Sequence, residues 1–263
     1  DENGEALPLA SQEAADAVAT GDPIWCPSGV VTPVSGGAGC SPSYTSFDDL
    51  LTWLTTNQAS TGTAGTIWIE KTYDSGTHDV GVTNFTLDGL VLNNMSSYAL
   101  TIRGGWNGIG TGTVDTTDPS EFNASLSIIN WLGAVTISDI LIDSAIVSNA
   151  VNDSALLVQT AGNIQLDRVK VKDSRNNGGG ARTGATLDNR TSTNASTVIV
   201  NNGIFEDNQA DGLRIYSAGA VTITSLIADG NDVDGAVIDN SFAIADRAVT
   251  LKGTQEYSNN TGA

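Results

Sequence analysis

The chain has 263 residues, with 30 acidic side chains against 11 Lys and Arg and a formal net charge of −19. So few cations exclude nucleic acid and anionic membrane surfaces as partners, since both are held by clustered positive charge; the acidity serves solubility or the binding of cations. No apolar run approaches the roughly 18 residues of a membrane-spanning helix, and a composition rich in Gly, Ser, Thr, Asn and Asp suits an all-β chain with many turns.

Residues 1–23 are rich in Ala, Glu and Asp, and their one apolar patch is Leu7-Pro8-Leu9. The expectation is a loosely packed arm, or one that docks elsewhere. Asp1 opens the chain without a charged and apolar signal segment, as a mature secreted product would. The only cysteines, Cys26 and Cys40, lie in a Pro/Gly-rich stretch, and the lone His78 is far along the chain. Two cysteines do not make a zinc site, so the pair reads as a disulfide stapling an irregular loop in an oxidising compartment. In a chain-entropy estimate such a link contributes about 3 kcal/mol. Arm and loop form an expected N-terminal unit, residues 1–45.

Residues 46–57 read as a helix. Ser46 is a good N-cap with Asp49 at capping-box spacing, and Phe47, Leu50, Leu51 and Leu54 form one apolar stripe. The strand patterns begin at Thr66-Ile67-Trp68-Ile69 and continue through Phe85-Thr-Leu87, Leu90-Val91-Leu92 and Ala99-Leu-Thr-Ile102. After a turn-rich insertion from Arg103 to Pro119 they resume at Leu126-Ser-Ile128-Ile129 and Val135-Thr-Ile137.

From there a unit repeats. Ile164-Gln-Leu166-Asp-Arg-Val169-Lys-Val171, Val198-Ile-Val200-Asn-Asn-Gly203-Ile-Phe205, Val221-Thr-Ile223-Thr-Ser-Leu226-Ile-Ala228 and Val249-Thr-Leu251-Lys-Gly-Thr254-Gln-Glu256 each place two period-two pairs around a bend. Asparagine follows 10 positions after the first core residue, at Asn208, Asn231 and Asn259, and glycine 14 after it, at Gly178, Gly212 and Gly235. Units starting 29, 34, 23 and 28 residues apart, all of strand, predict a solenoid: a parallel β-helix over 46–263, of about eight or nine coils, with the 46–57 helix covering its first coil.

The order of parts resembles right-handed parallel β-helix proteins of the pectin-lyase-like superfamily. Ser46-Phe47-Asp-Asp-Leu50-Leu51 followed by Gly65-Thr-Ile67-Trp-Ile69-Glu-Lys-Thr-Tyr73 is similar to their common opening of capping helix and first strand. Leu100-Thr-Ile102-Arg-Gly104-Gly105-Trp106-Asn-Gly108, then Asp118-Pro119 and Ser127-Ile128-Ile129, resembles a segment of bacterial surface-exposed β-helix proteins. The resemblance implies a right-handed coil and an extracellular, cell-surface setting. It leaves activity open, since such folds include lyases, hydrolases, adhesins and phage tailspikes. The Gly-His-Gly and Arg-Ile-Lys signatures of the family's hydrolases are absent, and no carboxylate pair with His or Arg nearby is evident on a strand face.

Several positions are candidates for sites. Asn208, Asn231 and Asn259 should stack as an amide ladder. Asp211 and Asp234, with Asn177, precede the recurrent glycine; stacked carboxylates repel, and a calcium ion with Asp232 as a further ligand would relieve them, unless Asp-Gly is simply turn chemistry. Trp106 and Tyr216 are the candidate exposed contacts for a glycan. Lys172 is expected across from Glu206, Arg168 solvated at the bend, and His78 exposed without a partner. The last unit, Val249–Ala263, is a complete strand pair with no helix or polar layer after it. The leading expectation is therefore a secreted, non-enzymatic structural or adhesive protein, a filament subunit stacking head to tail with its arm as bridge. The alternatives are a polysaccharide-binding or polysaccharide-degrading β-helix and a passenger piece of a larger surface protein.

Overall fold

The computed structural model describes residues 23–145, 153–175, 182–242 and 248–262. The expected arm, Asn177 and Gly178 lie outside the described residues. In chain order the elements are β1 (Ile24–Pro27), α1 (Phe47–Asn57), β2 (Gly65–Glu70), α2 (Ser75–His78), β3 (Asn84–Asp88), β4 (Leu100–Trp106), β5 (Ser120–Phe122), β6 (Ser125–Trp131) and β7 (Val135–Asp143). There follow β8 (Ser154–Thr160), β9 (Ile164–Lys172), β10 (Thr183–Asp188), β11 (Val198–Glu206), β12 (Leu213–Tyr216), β13 (Val221–Asp229), β14 (Ala236–Asp239) and β15 (Val249–Glu256).

The protein is predominantly β, in two sheets of parallel strands. One runs β2-β4-β7-β9-β11-β13-β15, with β1 antiparallel on β2 and β5 beside β7; the other runs β14-β12-β10-β8-β6-β3. From β6 onward the chain alternates between sheets, so each circuit lays one strand on each. The repeat starts fall in register as spaced in the sequence, Val135 beside Ile164, Val198, Val221 and Val249. Among the described residues the larger sheet has seven parallel rungs, fewer than the eight or nine coils expected. The difference arises in the first half: Leu90-Val91-Leu92 is a turn with Leu90 and Val91 exposed, and Phe85–Leu87 and Leu100–Ile102 belong to one circuit.

Inward side chains line up in columns. Ile67, Ile102, Ile137, Leu166, Val200 and Ile223 are each fully buried in one sheet, as are Leu87, Ile128, Val158, Leu187 and Ile215 in the other. Each such side chain contributes about 1.5–3 kcal/mol when removed from water, and the stripe of α1 (Phe47, Leu50, Leu51, Leu54) joins the same core.

The nine-residue strands bend midway at one left-handed residue, stacked as Asp139, Arg168, Asn202 and Ser225. Asp and Asn tolerate this conformation, whereas for Arg168 it costs about 1–2 kcal/mol. The compensation is electrostatic. Arg168 donates from Nε and Nη2 to both carboxylate oxygens of Asp139, at 2.6 and 3.1 Å, and meets Asp167 at 2.6 Å. Asp139 is 2% exposed, so this pairing supplies a buried carboxylate with its counter-charge. Arg168 is therefore a bend clamp and not the solvated side chain expected. Replacing Arg168 by Gly relieves the backbone but strands Asp139, and should cost about 3 kcal/mol. Adding Asp139→Asn should restore much of that loss, read as the coupling energy of a double-mutant cycle in denaturant unfolding.

Candidate functional site

The two ends of the stack are built differently. At the first rung β1 closes the edge of β2, and its own outer edge is satisfied in turn: Trp25 N–H donates to Ser41 Oγ (3.0 Å), Trp25 O accepts from Ser41 N–H (2.8 Å), and Pro23 O accepts from Tyr44 N–H (3.2 Å). The disulfide expected between Cys26 and Cys40 is present and anchors this covering loop. Beneath it, α1 is held by two caps. Ser46 Oγ accepts from Asp49 N–H at 3.0 Å, and the buried Asp79 carboxylate accepts from the N–H groups of Phe47 and Asp48, each at 3.0 Å. Tyr73 donates its hydroxyl to the same carboxylate, and burial, then Asp79, push its phenol far above the usual 10. Phe47 meets Phe85 and Phe122 edge-on.

At the other edge of the stack, β15 is the outermost strand among the described residues. Val249, Leu251 and Tyr257 are 45, 51 and 44% exposed, and every residue of β14 is only partly buried. A hollow of about 420 Å3 there is lined by Asp234, Gly235, Ala236, Ile238, Leu251 and Tyr257. The rung is not uniform. Register with β13 holds from Val249 to Lys252, then slips by one residue, so that Leu226 faces Gln255. Gly253, at φ +67°, absorbs the extra residue, a β-bulge of the kind that blunts sheet edges. The half from Val249 to Lys252 is flat, with Val249 and Leu251 apolar; the other is bulged and carries Gln255 and Glu256.

That bulge corrects the predicted ladder. Asn231 Oδ1 accepts from Asn208 N–H and Nδ2 at 3.1 and 2.9 Å, but the next rung's acceptor is Asn260 Oδ1, at 3.0 and 2.9 Å from Asn231, and not Asn259. The slip moves Asn259 into the left-handed position of Asp207 and Gly230, where it donates to Asp229. Counting residues from Val249 could not reveal it, although Lys252-Gly253 is the sequence trace of the bulge.

Other candidates are placed as follows. Asp211 and Asp234 do stand on adjacent rungs, but Asp211, 3% exposed, accepts from Asp234 N–H at 3.0 Å and from Arg214 Nε. Asp232 is exposed, and its carbonyl accepts from Thr261 Oγ1. Arg214 supplies a counter-charge to Asp211, and among the described residues no three His, Cys, Asp or Glu side chains gather as metal ligands. Trp106 is fully buried, packed on Trp68 beside the disulfide, so it presents no face to a glycan. Its insertion folds back on the loop, Gly110 N–H donating to Pro33 O at 3.0 Å. Lys172 stands in register with Glu206 but pairs with Asp143 at 2.6 Å on the preceding rung, while Lys170 takes Glu206 at 2.8 Å. His78 is half-buried, stacked on Tyr73, with Nδ1 2.8 Å from Asp74 O.

Tyr216 is where an expected contact meets unexpected company. It lies in register between Asp188 and Asp239 on the outer face of the smaller sheet. The Arg190 guanidinium sits 4.3 Å from its ring and 4.9 Å from Phe242, and donates to Asp188 at 3.0 and 2.7 Å. A column of two carboxylates with an arginine on a strand face therefore exists, and no periodic signal in the sequence marks it, because Arg190 and Phe242 come from turns.

Replacing Asn231 by Ala removes a buried amide linking three rungs and leaves backbone groups unsatisfied; it should cost about 2–4 kcal/mol. Asn259→Gly, at an exposed left-handed residue, should stay within about 0.5 kcal/mol. Urea unfolding of the two variants measures the difference. Comparison with protein-family models, curated proteins and solved structures finds no match to this chain in any of the three.

Proposed function

We propose that the chain is a right-handed parallel β-helix of the pectin-lyase-like kind, working outside the cell as a structural or adhesive protein that joins another polypeptide through its open rung. The single observation that carries this reading is the unpaired outer edge of β15 among the described residues. Val249, Leu251 and Ile238 continue core columns into water, while the opposite end is closed by β1, its covering loop and α1. Unpaired strand edges with apolar side chains are costly in isolation and are a ready template for another strand. A disulfide and a net charge of −19 fit an oxidising, extracellular setting. The closed first rung also narrows how copies join: a head-to-tail contact requires a segment reaching out from the body, since β1 offers no free edge.

Light scattering during size-exclusion chromatography over a concentration series tests this. Self-association is expected, and Val249→Lys with Leu251→Lys should weaken it at least about tenfold, which is about 1.4 kcal/mol. A chain monomeric at every concentration would overturn the self-assembling form of the proposal. A second reading, a polysaccharide-binding or polysaccharide-degrading surface, is favoured by the Asp188–Tyr216–Asp239 column with Arg190 and Phe242. Retention on acidic polysaccharide, or release of sugar from it with calcium supplied, should then be lost in Tyr216→Ala.

A further inference from the structure

We infer that the outer face of the smaller sheet carries a groove for an uncharged oligosaccharide, running from a hollow beside Leu90 and Leu132 to Tyr216 and Phe242. This rests on the polysaccharide-binding reading above and names the class of its ligand. Continuity, lining chemistry and charge each support it.

The groove is continuous because the strands beneath it are in register. A hollow of about 320 Å3 is lined by Leu90, Asn130, Trp131, Leu132, Gln159 and Thr191. Gln159 stands beside Asp188, Asp188 beside Tyr216 and Tyr216 beside Asp239, while the residues preceding them, Val158, Leu187 and Ile215 among them, point into the core. From β3 to β14 there are five rung intervals, about 24 Å at the usual strand spacing, room for several linked sugar rings. The strands underneath, β8, β10 and β12, are each paired on both sides, so a peptide cannot join here by strand addition.

The lining suits sugar. Leu90 and Leu132 are 72 and 60% exposed, and Tyr98, whose carbonyl accepts from Trp131 Nε1 at 3.0 Å, and Phe242 are exposed as well. Apolar side chains gathered about a hollow mark a binding surface, and the C–H faces of sugar rings pack on them. The polar groups between them are amides and hydroxyls. Among the described residues the side chains of Gln159, Thr191 and the Tyr216 hydroxyl make no hydrogen bond within the protein, and Asn130 commits only its Nδ2, to Asp88. Amides and hydroxyls both donate and accept, as sugar hydroxyls do. A purely apolar ligand such as a lipid chain would take water from these groups and return no partner.

Charge selects against polyanions. The Arg190 guanidinium is held by both oxygens of the buried Asp188, so its cation is answered within the protein and its face is given to Tyr216 and Phe242. Asp88 Oδ1 accepts from Leu90 N–H and Asn130 Nδ2, at 2.9 and 3.0 Å, and Asp239 Oδ1 from Ser241 N–H at 2.9 Å. Asp88, Asp188 and Asp239 thus border the groove against Arg190, on a chain of net charge −19. That field opposes a uronate or sulfated polymer and leaves an uncharged one unaffected.

Affinity electrophoresis of the full chain tests this, in gels carrying a neutral β-glucan, galactan or mannan, with polygalacturonate and alginate as the acidic arm. Retardation is expected in a neutral gel, and neither EDTA nor high salt should change it, since no ion bridges the ligand and no charge is screened. Leu132→Ser at one end of the groove and Tyr216→Ala at the other should each weaken binding of a long oligosaccharide of the retained polymer at least about tenfold. Leu132 is exposed, so its variant keeps the fold, which an unchanged urea unfolding midpoint verifies. Retardation by the acidic polymers alone, abolished by EDTA, would keep the polysaccharide-binding reading and overturn the uncharged ligand. Passage unretarded through every gel would overturn both. Neutral binding that survives both substitutions would place the ligand elsewhere and overturn the groove.

Discussion

A parallel stack transmits its hydrogen bonds in one direction. Each inward residue donates to the rung after it, as Val198 does to Ala220 and Val221 to Ala248, so every rung satisfies the one before and depends on the one after. The in-register columns follow from this ladder, because residues 23 to 34 apart in the chain become vertical neighbours. The ladder has no internal reason to stop. What distinguishes such a molecule is how it deals with its first and last rungs.

The two solutions differ in chemistry. At the first rung, an antiparallel strand, a covering loop held by a disulfide, and a helix capped by Ser46 and Asp79 leave little backbone unanswered. At the last, a bulge and charged side chains blunt half of the edge, and the other half keeps its apolar columns exposed. A bulge and charged side chains on an exposed edge limit uncontrolled sheet growth.

Period-two spacing and the recurrent bend carried the strands and their register in the sequence, because each inward column draws on one chemistry: Val135, Ile164, Val198 and Val221 are interchangeable in kind; the helix was carried by the Ser46 cap and the stripe of Phe47, Leu50, Leu51 and Leu54. The disulfide was legible by elimination. What escaped was whatever depends on contacts between separate segments. Trp106 reads as exposed in a turn-rich stretch, and only the packing of its insertion on the disulfide loop buries it. Arg168 looks like a surface cation until the burial of Asp139, 29 residues away, is known. A one-residue slip at Gly253 moved the ladder from Asn259 to Asn260, since a bulge breaks the counting on which a periodic reading relies. Arg190 and Phe242 fell outside any repeat and came together only through the turns beside Tyr216.

The interchangeable rungs also bear on how this architecture can change over generations. The segment from Val198 to Ala220 meets nearly the same side chains above and below: Ile164 and Val221 flank Val198, and Asn231 receives from Asn208 what Asn260 receives from Asn231. A tandem duplication of such a segment would insert one more layer without disturbing either terminus. The number of rungs is thus free to drift by whole layers.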